Sequence, residues 1–292
     1  MFAQFFGGYL FNHKLCTAED LTQAFEAKKH TRLRLGVLAI NAGLMTAEQV
    51  EHVNITQQSV DKRFGDLAVE LGYVTADDVE KLLAQQPTDY LLLGQTLVNN
   101  GALTNAEFEK ALKDYKAENQ ITDDISDNQT ETLHNLINEF YHFDNDENAR
   151  ICTDYVTLLF KNLIRFIGDD FTPMEASVIK NFAAERIVIQ RINGKYNAEA
   201  CIAIDSKTYM AFAERFAKES FTEVDDFVNA TAGEFLNVND GLFVVNESNE
   251  HGVELTLTPQ EFLENGELAL SGTAFCIPVN YPFGKLNFII AT

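Results

Sequence analysis

Four glycines recur at equal intervals along the first third of the chain: Gly7, Gly36, Gly65 and Gly94, each 29 residues after the one before. A fixed period of this length marks one small supersecondary unit used repeatedly. Such a unit cannot bury its apolar face alone and must stack on its neighbours. Each glycine follows a large apolar residue (Phe6, Leu35, Phe64, Leu93), and ten residues after each stands a threonine (Thr17, Thr46, Thr75, Thr104). Three residues past the threonines come Asp20, Gln49, Asp78 and Glu107. That spacing predicts a capping box or a close relative of one. The hydroxyl satisfies an orphan helix N–H and the third side chain reaches back to the cap. Apolar residues then recur on one helical face: Val50 and Val53, then Val79, Leu82 and Leu83, then Phe108, Ala111 and Leu112. Gly43, Gly72 and Gly101 suit the position that ends a short first helix. Residues 1–118 are therefore expected to form an all-α array of four copies, each a helix, a glycine turn and a capped second helix.

The chain has 292 residues and a formal net charge of −22. A surplus of carboxylates argues against nucleic acid as a partner, because phosphates are held by Lys and Arg, and against anionic membranes for the same reason. No apolar run reaches the length of a membrane span, so no membrane insertion is expected. The four cysteines (Cys16, Cys152, Cys201, Cys276) lie far apart with no CxxC spacing, and the six histidines form no HExxH motif. Reduced thiols and a cytoplasmic location fit better than a disulfide framework, and no metal site of the protein's own is expected.

The repeat resembles the MshEN module found at the N-terminus of type II secretion and pilus ATPases. The resemblance rests on Arg34-Leu35-Gly36 through Gln57 and on Arg63-Phe64-Gly65 through Gln86, while Phe5 and Leu92 stand in place of the arginine in the outer copies. It implies cyclic di-GMP as a candidate ligand, held by Arg34, Gly36, Arg63 and Gly65. The other expectation for the array is protein docking or spacing.

Residues 119–147 read as an acidic linker and a connecting helix, the latter marked by the stripe Leu133, Leu136, Ile137, Phe140 and Tyr141, with Asp144–Glu147 breaking it. The sequence does not say which domain that helix joins. From 148 to 292 the pattern is mixed. An apolar helix is expected over Tyr155–Ile167, a strand over Ala176–Phe182, and a hairpin of Ile187–Ile192 and Ala198–Ile204 turning at Asn193-Gly194. Helices over Thr208–Lys218 and Phe221–Asp240 follow. Strands over Val253–Thr258, Thr273–Val279 and Lys285–Ala291 close the chain. The expected class is α+β, an antiparallel sheet with long helices on one face.

The second of those long helices concentrates the chemistry. Phe221, Val224, Val228, Thr231, Phe235 and Val238 share one side, while Glu234 and Asn237, three apart, share the other with Ala230, Gly233 and Gly241 as small neighbours. An interior helix glycine costs about 1 kcal/mol, so Gly233 should answer a steric need. The run Gly233-Glu234-Phe235-Leu236-Asn237 followed by Gly241, with Pro259 downstream, resembles the helix of the CheC/CheX/FliY chemotaxis phosphatases. Ala230 departs from the Asp or Ser common there, Pro259 falls one residue early against members with two motifs, and only one good copy is present, which favours the CheX type. A second register, Asp226-x-x-Asn229-x-x-x-Gly233, puts Asp for Glu.

That resemblance implies hydrolysis of the aspartyl phosphate on a CheY-like receiver. Asn237 would orient the attacking water and Glu234 would pair with the receiver's lysine. The protein would need no cofactor of its own, magnesium being supplied by the phosphorylated partner. The array would then dock or sense. The alternative is a non-enzymatic signalling or scaffold protein, whose repeats bind cyclic di-GMP or a protein and whose C-terminal domain serves for homodimerisation or docking.

Overall fold

The structure is a computed structural model describing residues 2–84, 88–119, 129–143 and 147–292. The chain divides into two compact units, Phe2–Asp127 and Asn128–Thr292. The expected acidic linker falls largely on 120–128, and Gln86 and Asp144 also fall outside the described residues.

The first unit consists of helices in pairs: α1 (Phe2–Asn12) with α2 (Ala18–Lys28), α3 (Leu35–Asn41) with α4 (Ala47–Gln57), α5 (Phe64–Glu70) with α6 (Ala76–Ala84), and α7 (Asp89–Asn99) with α8 (Asn105–Glu118). Thr17, Thr46 and Thr104 cap the second helix of their pairs in reciprocal capping boxes. Thr75 and Asp78 exchange the same bonds at α6. Gly43, Gly72 and Gly101 take the left-handed conformation at the turns (φ +66, +73 and +77).

The periodic glycines serve close packing. A Cβ on Gly36 would lie 2.7 Å from Val50 Cγ1, and one on Gly65 would lie 3.1 Å from Val79 Cγ1. Gly7 faces Leu21 and Gly94 faces Phe108 in the same relation. Each glycine thus admits the second helix of its own pair.

The second unit begins with α9 (Gln129–Tyr141), which packs on α10 (Glu147–Asn162). His134 Nε2 lies 3.0 Å from Asp154 Oδ1, and Leu136 and Ile137 are buried. The connecting helix placed with the linker is therefore part of this unit. Its apolar stripe needs a partner, and α10 supplies one.

α10 continues as a π-helical turn over Leu163–Ile167. The strands are β1 (Thr172–Pro173), β2 (Ser177–Gly194), β3 (Ala198–Ile204), β4 (Leu255–Leu257), β5 (Glu261–Tyr281) and β6 (Gly284–Ala291), and α11 (Ser206–Ala217) and α12 (Asp226–His251) lie between β3 and β4. Pairing is antiparallel in the order β1-β5-β6-β3-β2-β4, and β5 pairs again with β2. Four strands therefore close on themselves around Ile187, Ile189, Cys201, Ala203, Leu268, Cys276 and Ile289. Side chains alternate along a strand, so Val188, Gln190, Ile202 and Phe288 turn to the helical layer, where Phe288 meets Phe235 of α12. The architecture is α+β.

Several boundaries differ from expectation. The expected strands Ala176–Phe182 and Ile187–Ile192 merge into one strand, β2, which starts at Ser177 and whose first half pairs with β5 beyond the reach of β3. Asn193 and Gly194 do not form the hairpin turn. They pair with Thr256 and Leu255 of β4, and the chain reverses over 195–197. α12 starts five residues later and ends eleven later than expected. The Asp225 carboxylate accepts from the amides of Phe227 and Val228 and so fixes its start, leaving Phe221 and Val224 outside the helix.

Candidate functional site

α12 is 26 residues long, so it carries a core face and an open face over seven turns. The buried face is Val228, Ala232, Phe235, Leu236, Asn239, Asp240, Phe243 and Glu247. The open face carries Ala230, Glu234 and Gly241, with Val245 (52% exposed) above and Phe227 (57% exposed) below. Asn237 lies at the edge, half-buried.

Glu234 and Asn237 meet as their spacing requires: Asn237 Nδ2 donates to Glu234 Oε2 at 3.3 Å. The other end of the amide is held from below. Gln190, fully buried on β2, donates from Nε2 to Asn237 Oδ1 at 3.1 Å and to the carbonyl of Thr258 at 2.9 Å. The second bond ties down the segment that carries Pro259, beside the site. Gln190 Oε1 is buried with no hydrogen-bond partner among the described residues. Asn237 Oδ1 keeps a second lone pair, so the amide is oriented while it retains acceptor capacity.

Gly233 does not belong to the open face. It is buried, and a Cβ there would lie 2.8 Å from Cζ of Phe262 and 3.6 Å from Cγ of Gln260. The glycine admits the protein's own β5 entry rather than a visiting surface. Gly241, by contrast, has nothing within 4 Å of its would-be Cβ.

Under the site lies a polar network that the sequence reading missed. Tyr155 O–H donates to Asp240 Oδ1 at 2.7 Å, and Asn162 Nδ2 donates to Asn239 Oδ1 at 2.9 Å. Burial pushes the Asp240 carboxyl up to about 7, against the opposing hydrogen bonds from Tyr155 and Asn239. Further along, the Arg150 guanidinium forks onto Glu247 (2.8 and 3.0 Å), and Tyr196 O–H donates to the same carboxylate at 2.7 Å. Burial works against the charge on Glu247, but Arg150 and Tyr196 outweigh it and hold the carboxyl below its ordinary range. These contacts lock α12 to α10. The available sequence signal was Asn239-Asp240 and Glu247 recurring on an otherwise apolar face.

The second register is differently employed. Asn229 Oδ1 accepts from Tyr209 O–H at 3.1 Å, beside a cavity of about 320 Å³ that Arg186, Asp226 and Phe262 also line. In the helical unit, Arg34 and Arg63 occupy equivalent positions at the starts of α3 and α5, and both are exposed. Arg63 forks onto Asp66 at 2.9 and 3.1 Å. Gly36 and Gly65 are spent on helix packing, each against a valine of its own pair.

Among solved structures, the chain is similar to the chemotaxis protein CheX from Desulfovibrio desulfuricans (14% identity, 48% of this chain and 97% of that one, TM-score 0.43). It is similar to a CheC-like superfamily protein from a Shewanella species (15%, 47% and 96%, TM-score 0.42). A CheX–CheY complex with BeF3 and magnesium from Borrelia burgdorferi also resembles it (19%, 48% and 96%, TM-score 0.40). No protein-family model matches the chain, and no curated protein does.

Proposed function

We propose that the C-terminal unit is a phosphatase that docks the open face of α12 onto a CheY-like receiver and hydrolyses its aspartyl phosphate. The observation that carries this reading is the Glu234–Asn237 pair on an exposed helix face, with the Asn237 amide oriented by the buried Gln190. The surrounding Phe227, Ala230, Gly241 and Val245 give the face an apolar frame with few long side chains.

Acyl-phosphate hydrolysis asks for a positioned water more than for a strong base, because the transition state is loose and the leaving group is a carboxylate. Asn237 Oδ1 uses its free lone pair to accept from that water, turning a water lone pair toward phosphorus. The P–O bond to water forms as the P–O bond to the receiver's aspartate breaks. The aspartate leaves as carboxylate and the water's proton goes to the departing phosphate. Glu234 offers an exposed carboxylate to a lysine of the receiver, an electrostatic anchor at the rim of the contact. Magnesium enters with the receiver's phosphoryl group, so this chain requires no cofactor of its own. The helical unit serves as the docking or sensing module.

Phosphate release from phosphorylated receivers of the source organism tests this. Wild type should accelerate release, and Asn237→Ala should remove most of the acceleration, roughly 100-fold or more for loss of a positioning group. No acceleration by wild type with any receiver would overturn the proposal.

A further inference from the structure

Two of the helical copies bond to each other reciprocally. Ala47 and Asn105 hold the same place at the start of α4 and α8, and Glu51 and Glu109 hold the same place one turn later. The Ala47 amide donates to the Glu109 carboxylate, and Asn105 Nδ2 donates to Glu51 Oε2 at 3.2 Å. The contact is therefore close to two-fold, each acid reaching the first turn of the other helix, where carboxylates are favoured. Its apolar part is sealed: Ala47 and Val50 are 4% exposed, and Phe108 and Leu112 no more than 2%.

A second reciprocal contact joins the second and third copies. Gly36 faces Phe64 and Gly65 faces Leu35, each glycine against the residue that precedes the other. Gly7 faces Leu93 of the fourth copy in the same sense. The copies thus stand in the spatial order first, fourth, second, third, alternating glycine contacts with the acid-to-helix-start contact. Among the described residues, the third copy ends the row with no partner on its acid face.

That face is Ala76, Val79, Glu80 and Leu83 of α6 with Gly65 and Val69 of α5, around an open groove of about 590 Å³. Ala76 is exposed where Ala47 is buried, and Leu83 is 68% exposed where its counterpart Leu112 is 2%. We propose that a second copy of this chain fills this groove through its own third copy, repeating the α4–α8 contact as a true two-fold. Glu80 of each chain would then accept from the Ala76 amide of the other, and Leu83 and Val79 would be buried in the middle. The first copy is a poorer mate. Thr22 stands in the place of Glu80, and its hydroxyl is turned back onto the Ala18 carbonyl at 2.9 Å. The acidity of the groove does not oppose the pairing strongly, because Asp66 and Glu70 are already matched by Arg63 and Lys62.

The test uses the full chain. Two populations, Ala76→Cys and Glu80→Cys, are mixed under mild oxidant. All four native cysteines are buried, so they compete little. Disulfide-linked dimers should form in the mixture at least severalfold faster than in either population alone. Leu83→Asp, a change at an exposed position that should leave the circular dichroism spectrum intact, should weaken self-association in sedimentation equilibrium by about tenfold or more. A wild-type monomer at high micromolar concentration, absence of the mixed disulfide, or self-association unchanged by Leu83→Asp would overturn the proposal. A different protein in the groove gives the first of these results, and a dimer built elsewhere on the chain gives the other two.

Discussion

Gln190 Nε2 stands 3.1 Å from Asn237 Oδ1, a bond from the floor of the sheet to the open face of α12. It fixes the rotation of the Asn237 amide and leaves one Oδ1 lone pair for the water, since the same nitrogen is also committed to the Thr258 carbonyl at 2.9 Å. Gln190 touches no substrate in the proposed reaction and acts by positioning. Gln190→Glu keeps the shape but loses the donors, so Asn237 is freed to rotate. Turnover should fall by about tenfold with little change in KM, since an interaction that matters only in the transition state has been weakened. Gln190→Ala should fall similarly in turnover, and both variants should lose on the order of 1–3 kcal/mol of stability, Gln190→Glu the more, because the Thr258 carbonyl is left without its donor and the glutamate adds a buried acid. Steady-state phosphate release and denaturant melts separate the two. Equal turnover in Gln190→Glu and wild type would remove the positioning role.

Gly233 and Phe262 should behave as a coupled pair. Alanine at 233 gains about 1 kcal/mol of helix propensity but brings a Cβ to 2.8 Å of the Phe262 ring. Phe262 is 42% exposed, so the ring swings aside rather than straining the core. Gly233→Ala alone should then change stability by less than about 1 kcal/mol, yet disturb the 258–262 segment and lower activity severalfold. In Phe262→Ala, the same glycine substitution should become stabilising by about 1 kcal/mol. Urea melts of the double-mutant cycle measure this coupling, and additive effects would contradict it.

The periodic landmarks of the helical unit were readable because they are local: a threonine three residues before an acid or a glutamine caps its helix whatever surrounds it. Glu234 and Asn237 could likewise be placed on one face by spacing alone. What spacing does not encode is which strand crosses beneath α12. Gln190 sits in an apolar run indistinguishable from core until the β2 register brings it under Asn237. Helical spacing puts Gly233 on the open face for the same reason, its neighbour Phe262 being far along the chain. The spatial order of the four helix pairs was equally illegible, because pairs of similar pattern offer similar faces to every partner and only specific contacts, such as Glu109 to Ala47, choose among them.

Asp240 makes stability fall with rising pH over a definite window. Its folded carboxyl is raised to about 7, while the unfolded one titrates near 3.8, so between those values the folded state binds the extra proton. Stability from this group is present in full below about pH 4, declines through neutrality and is lost above about 7. Glu247 acts oppositely. Its depressed value gives stability that is present above the ordinary glutamate range and lost as pH falls through the folded value. Asp240→Asn retains an acceptor for Tyr155 but has no proton to lose. It should be more stable than wild type at pH 8 by a few kcal/mol, on the order of three pH units at about 1.4 kcal/mol each as an upper bound, and the gain should shrink at pH 5. Thermal melts across pH 5–8 check it, and parallel curves for the two proteins would refute it.

The packing glycines of the helical unit should rank by how firmly the facing side chain is held. A Cβ at Gly94 enters the ring of Phe108, which is fully buried and also stacks edge-on with Phe6 at 6.4 Å. A Cβ at Gly65 meets only the ends of Leu35 and Val79 at 3.1 Å, and Val79 borders open space in the third copy's groove. Gly36 lies between, 2.7 Å from a methyl of Val50, which is 4% exposed. Each Gly→Ala change gains about 1 kcal/mol of helix propensity, and overpacking costs about 1–3 kcal/mol where nothing can move. Gly94→Ala should therefore destabilise the helical unit, Gly36→Ala should do so mildly, and Gly65→Ala should come out near neutral or slightly stabilising where the chain is dilute enough to be monomeric. Gly241→Ala, with nothing within 4 Å of the new atom, is the control from the other unit and should stabilise by helix propensity alone. Melting temperatures of the four variants give the order directly. At concentrations where the chain pairs through this groove, the Gly65→Ala loss should grow toward that of Gly94→Ala, because a second chain then seals Val79 as Leu112 is sealed within this one, and a loss independent of concentration would contradict it.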